Sequence, residues 1–573
     1  MPPLIKRPAT GSPAIVLPPA RPPLRRSLGR LFSALVATTT FAGTVAGVGV
    51  IATSGSAAAA QPASTVPSNV ARVSGATRID TAVAASKDQF PTAGSAQAVV
   101  LARADNFPDA LAGGPFAAKV GGPLLLTSSK ALDDSVKAEI QRVAPKGATV
   151  YILGGTAAIA TGVDTAISGI GDVPKRVFGN DRFATAVAIA DAMGDPSTVF
   201  EATGLNFPDA LAGVPAAIKT GGVILLTNGG QQAPATAAYL TAHAGGTHYA
   251  LGGPAAKADT TATPLVGDDR FWTATGIAQQ FFPDATTIGV ATGLNFPDAL
   301  AAGPDLAAHG APLLLAPSTG ALAVAPTVYL LWTSHVTTKA VLFGGPASVS
   351  DDMATQIGDL VGGLARAQAL DATPAYSGGF GTITLHTNLA GLTGNETVVV
   401  DASTGDGTSY SQGGPTTTLP GVETPRAQLA ALPLDHDAFV AAVNALFADF
   451  DTQNGFDTQD PDVLYLMNVE QILLNPVAPP SVRFEAYAAL AADNGTTLVN
   501  TGVKDSLGRV GVEIYAPLGA DDSDQSKVSF IFDPATLLPL EDTVVDTDGS
   551  VLTRSTVMGL TTSVTAPGNP YTS

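Results

Sequence analysis

The six residues Asn-Phe-Pro-Asp-Ala-Leu occur three times in this chain, at 106–111, 206–211 and 295–300. Such a repeat constrains the fold more than any local propensity, because each copy is one supersecondary unit and neighbouring copies must pack together. The copies are spaced 100 and 89 residues apart. An apolar run precedes each hexapeptide (98–102, 198–202, 287–291) and another follows it (123–126, 223–226, 312–315). A third run ends in a glycine pair, Gly154-Gly155, Gly252-Gly253 or Gly344-Gly345. Upstream, Arg78, Arg182 and Arg270 each lead an alanine-rich helical stretch.

Short apolar runs bounded by Gly and Pro, alternating with helical stretches, predict a parallel sheet covered by helices. Within the hexapeptide, Asn is a good N-cap, Pro suits the first helical turn and Asp complements the positive helix start. The motif therefore reads as a strand-to-helix corner. A second reading is compatible with the first: Asn106, Asn206 and Asn295 stand at strand C-terminal ends, where α/β sheets bind ligands.

The Arg-led helix, the hexapeptide, the Pro-Leu-Leu-Leu strand and the Gly-Gly strand resemble the type 2 cell-wall-binding repeat, found in three tandem copies on surface proteins of Gram-positive bacteria. The resemblance spans about 71–365. It implies α/β modules in a pseudo-threefold arrangement that hold a protein noncovalently to an anionic cell-wall polymer. The candidate polymer contacts are Arg78, Arg182, Arg270, Asn106, Asn206 and Asn295. The copies are not identical: Arg72 and Arg176 precede Arg78 and Arg182 by six residues, whereas Pro264 holds that position before Arg270. Arg103 likewise aligns with Thr203 and Thr292, so three equivalent sites are not expected.

Charge separates the chain into three zones. Residues 1–60 contain six basic residues and no acidic one, whereas 61–370 carry a net −6 and 371–573 a net −19. The Arg25-Arg26 segment, an uncharged run from Leu31 and Ala58-Ala59-Ala60 have the layout of a secretory signal peptide cleaved near Gln61. The run is also long enough to span a bilayer, which leaves an uncleaved anchor as the alternative; after cleavage no stable membrane span is expected. Either the general or the twin-arginine export route fits. Cysteine is absent, which excludes disulfides and an acylated N-terminal cysteine. The acidic balance offers no basic face for nucleic acid.

The expected organisation is signal 1–60, linker 61–70, repeats at 71–171, 172–262 and 263–370, and a C-terminal α+β domain with an antiparallel sheet at 371–573. In that domain 382–386, 397–400, 511–516, 528–532 and 551–557 read as strands, 401–415 as a polar loop, and 437–450, 461–474 and 480–492 as helices. Asn475-Pro476, Arg483, Asp505 to Arg509 and Asp533-Pro534, among other segments of 432–540, resemble an uncharacterised actinobacterial envelope family.

Recognisable catalytic motifs are missing. None of the six histidines is followed by Glu, no Gly-Lys dipeptide exists, and the acidic turns at 449–455 and 546–549 are incomplete calcium loops. No catalytic residue, metal ligand or cofactor is assigned. The expected function is wall attachment with display of the C-terminal domain at the cell surface; the alternative is a wall-targeted hydrolase with an unrecognised C-terminal active site.

Overall fold

The computed structural model describes residues 66–371 continuously and most of 380–563. The export-signal segment, the linker up to residue 65, the turn at 546–549, Gly455 and residues 461–467 lie outside the described residues.

Strand β1 (Val70–Val73) precedes the first Arg-led helix, Arg78–Gln89. Next come β2 (Ala98–Arg103), β3 (Leu124–Thr127), β4 (Thr149–Leu153) and β5 (Val173–Val177), a parallel sheet in the order β3-β2-β4-β5. The second sheet repeats this with β6 (Thr198–Thr203), β7 (Val223–Thr227), β8 (Thr247–Leu251) and β9 (Thr263–Leu265). The third contains β10 (Thr287–Thr292), β11 (Leu313–Ala316) and β12 (Lys339–Phe343), and its fourth strand is β1. Helices cover the sheets, so Val99, Val100, Leu101 and Ala102 are all buried.

The position of β1 closes the body. In the first two sheets the fourth strand is the one that leads into the next repeat, whereas the third sheet takes the strand that leads into the first. The register runs from Val70 opposite Ala340 to Val73 opposite Phe343. Each Arg-led helix is started by its preceding residue: Thr77 Oγ1 accepts from the Asp80 N–H, Asp181 from Ala184, and Asp269 from Phe271 and Trp272.

The three hexapeptide corners meet at the centre. Phe107, Phe207 and Phe296 form a triangle with ring centroids 5.7, 5.6 and 5.8 Å apart, in tilted and edge-on contacts. Below them only one larger side chain fits. Gly114, Val214 and Gly303 are equivalent positions, and a Cβ on either glycine would stand 2.4 or 2.3 Å from Val214 Cγ1. These contacts give the three-sheet body its pseudo-threefold arrangement.

The C-terminal sheet is antiparallel and nine-stranded. Its strands are β13 (Phe380–Leu389), β14 (Leu392–Asp401), β15 (Gly407–Ser411), β16 (Thr416–Leu419), β17 (Leu498–Lys504), β18 (Val510–Pro517), β19 (Lys527–Phe532), β20 (Pro539–Val545) and β21 (Val551–Ser563). They lie in the order β16-β15-β14-β13-β21-β20-β19-β18-β17. The expected polar loop at 401–415 includes strand β15, because Thr408 and Tyr410 pair with both β14 and β16. Helices His436–Asn454 and Pro480–Ala492 join this sheet to the third repeat. Phe484 and Tyr487 share one apolar core with Tyr329, Leu330 and Leu331 of the repeat. Arg366 donates to the Pro534 carbonyl across the junction at 2.8 Å, and a cavity of about 430 Å³ opens beside it, lined in part by Gln356, Asp359 and Thr501.

Candidate functional site

All three hexapeptides begin their helices in the same way. Pro108, Pro208 and Pro297 occupy the first helical position, where a missing N–H costs nothing. The N-cap position falls on Phe107, Phe207 and Phe296 instead of on the asparagines, which corrects the sequence reading. Asn106, Asn206 and Asn295 stand one residue earlier, and each Oδ1 accepts the next residue's N–H at 3.0 Å. The Phe residues are drawn to the central triangle, which moves the asparagines outward to the rim. Asn206 and Asn295 are exposed and Asn106 half-buried.

The hexapeptide aspartates explain the glycine pairs. A Cβ on Gly154, Gly252 or Gly344 would lie 2.6, 2.1 or 2.4 Å from Oδ2 of Asp109, Asp209 or Asp298. All three glycines also have positive φ, at 96°, 77° and 102°. The two motifs recur together in every copy, and that joint recurrence is the signal of their contact in the sequence. Burial raises the Asp109 carboxyl, against the pull of Arg103, Arg182 and Thr185. Burial also pushes Asp209 up to about 6, with Arg270 opposing it.

Arg182 and Arg270 come from the following repeat, so the corners form seams between repeats. Arg78, Arg182 and Arg270 each donate Nη1–H to a loop carbonyl of their own repeat, Ala104, Gly204 and Gly293, at 3.1, 2.6 and 2.5 Å. Across the seam Arg182 faces Asp109 and Arg270 faces Asp209. Arg78 closes the cycle, its Cζ 5.6 Å from the Phe296 ring centre. Structure therefore brings each candidate arginine to the corner of a neighbouring copy.

The departures between copies have structural causes. Arg72 donates to the Gly344 carbonyl and pairs with Asp351, and Arg176 does the same with Gly154 and Asp164. These arginines anchor the helix that follows the glycine pair. In the second repeat a short helix, Gly252–Ala258, begins at the glycine pair itself, and Pro264 stands at the corresponding strand position. Arg103 pairs with Asp105 at 2.6 Å, whereas Thr203 and Thr292 accept the N–H two residues on. In those two copies the Asp105 position is apolar, and Leu205 and Leu294 are 59% and 60% exposed. The rim thus combines an arginine and an asparagine per seam with isolated apolar side chains.

Three stretches, residues 72–164, 176–262 and 265–354, match the family model described as cell wall binding domain 2. Each of the three repeats of the central body thus matches this model once. Among curated proteins, the chain is 30% identical over 246 residues to the N-acetylmuramoyl-L-alanine amidase LytC of Bacillus subtilis, covering 42% of this chain and 49% of that protein. It is 35% identical over 156 residues to the amidase enhancer of the same organism, covering 27% and 21%. The chain thus spans about half the length of the first relative and about a fifth of the second. Among solved structures it is similar to Cwp8 from Clostridium difficile, at 26% identity and TM-score 0.46 over 51% of each chain. Cwp6 from the same organism gives 25% identity and TM-score 0.45, over 54% of this chain and 51% of that one. Among the described residues, no helix is long and apolar enough to cross a membrane.

Proposed function

We propose that this chain is an exported surface protein attached noncovalently to the cell wall through its three cell wall binding domains, with the C-terminal domain displayed from the third. The observation that carries this reading is the presence of three copies of the domain, each presenting an Arg and an Asn at a seam. An anionic wall polymer is the ligand that suits such a surface, since guanidinium groups give directed hydrogen bonds to carboxylate or phosphate. Each arginine spends one N–H on its loop carbonyl, and Arg182 and Arg270 also face a buried aspartate, so polymer meets the remaining edge of the fork. Arg78, Arg182, Arg270, Asn106, Asn206 and Asn295 are the contacts, and the three seams differ in strength because of Arg103 and the two exposed leucines. Export through residues 1–60, an actinobacterial source and membership of the C-terminal domain in an actinobacterial envelope family belong to the same reading.

Sedimentation with purified walls tests the attachment. The full chain should be retained, and replacing Arg78, Arg182 and Arg270 together by Ala should release it without changing its circular dichroism. Normal retention of the triple variant would remove these residues from the role. The named amidase among the relatives keeps a hydrolase reading open to test. Clearing of walls in a zymogram that depends on residues 371–573 would favour it over display.

A further inference from the structure

The second repeat differs from the other two at one internal place. In the first, Leu101 and Val150 are buried with Ile159 and with Val163 and Ile167 of the helix Thr161–Gly169 that follows the glycine pair. In the third, Val290 and Ala340 share a core with Leu322, Val349, Met353 and Ile357. The hexapeptide spacing is eleven residues shorter after the second copy, and there the apolar cluster shrinks to Ala250, Ala255 and Ala262. The positions of Leu101, Val150 and Leu132 are taken by Glu201, His248 and Gln232. Val199 pairs with His248 in the ladder, so Glu201, two residues on, shares its face of the sheet. Asp259, at the end of the short helix, completes the group.

These side chains converge with unspent polar atoms. Glu201 is fully buried, and its Oε1, Gln232 Oε1 and His248 Nε2 have no hydrogen-bond partner. Gln232 donates to the other Glu201 oxygen. Asp259 Oδ1 is occupied by the Thr261 N–H and hydroxyl, while Oδ2 lies 3.9 Å from His248 Nδ1. Glu201, His248 and Asp259 each offer a ligand atom within 4.8 Å of the others. Lone pairs that converge in a buried site suit a positive charge.

We propose that Glu201, His248 and Asp259, with the Gln232 carbonyl alongside, form a site for one divalent cation, seated where the second repeat lacks the helix present in the other two. Two carboxylates and an imidazole match zinc, whereas calcium and magnesium favour oxygen-only sets. The ion replaces the missing apolar packing by tying β6, β8 and the end of the short helix together.

The full chain, stripped with chelator, is titrated with zinc chloride by calorimetry and its stoichiometry read by native mass spectrometry. One equivalent should bind, with a melting temperature that rises with zinc concentration. Glu201→Gln and His248→Gln should each lose that equivalent. A triple change to the first repeat's residues, Glu201→Leu, His248→Val and Gln232→Leu, should also lose it while folding without metal. His309→Ala should retain it, which separates this site from the Asp88, Asp305 and His309 group elsewhere. No zinc bound by the wild type, or an equivalent that survives the triple change, overturns the proposal.

Discussion

Val73 lies beside Phe343 in a parallel ladder, joining the start of the three-sheet body to its end across most of its sequence. Val70 and Val73 are both buried there, and Arg72 pairs with Asp351 at 2.9 Å. Deleting residues 66–73 should destabilise the body by about 3 kcal/mol or more, from the lost burial of two valines. Chemical denaturation of the deleted and intact chains measures it. An unchanged midpoint would mean that the ladder contributes nothing to closure.

The single side chain beneath the Phe triangle gives a sharper test of symmetry. Val214→Gly should cost about 2 kcal/mol or more by leaving a cavity, and Gly303→Val should cost about 1–3 kcal/mol by overfilling the same space. Because Gly303 faces Val214, combining Gly303→Val with Val214→Gly should recover part of the loss. Strict additivity in the thermal unfolding of the three variants would contradict this packing.

Buried carboxyls predict the pH profile. Asp305 has no hydrogen-bond partner on either oxygen, and burial with nearby Asp88 pushes it up to about 8. A carboxyl raised in the folded state holds its proton more tightly there than in the unfolded chain. Its contribution is fully present below about pH 4 and is lost as pH rises to about 8, with a slope of at most about 1.4 kcal/mol per pH unit. Glu201 acts in the same direction in metal-free buffer. Denaturant titrations from pH 4 to 9 should therefore show a fall that Asp305→Asn reduces.

Docking of the C-terminal domain depends on Gly363. A Cβ there would stand 2.3 Å from Phe484 Cζ, inside the shared core. Gly363→Val should loosen the junction, seen as faster proteolysis near residue 371 and a lower melting temperature. Equal protease resistance in both forms would show that the ring can move aside.

The sequence by itself determined the unit of construction. Three copies of one hexapeptide, with apolar runs and glycine pairs at matching offsets, fixed a parallel α/β repeat, because burial on both faces demands such runs. It also marked the unequal positions, such as Pro264 against Arg72 and Arg176. Only the tertiary structure decided what those positions do. Strand β1 has the same local pattern whether it pairs within its own repeat or with β12, and closure selects the partner. Asn106 resembles an N-cap until the attraction of three Phe rings shifts the corner by one residue. The link between Asp109 and Gly154 spans 45 residues, and the Glu201 group joins four separate segments. Such contacts depend on how sheets and helices meet in space, and local pattern carries no record of a meeting set by the packing of distant elements.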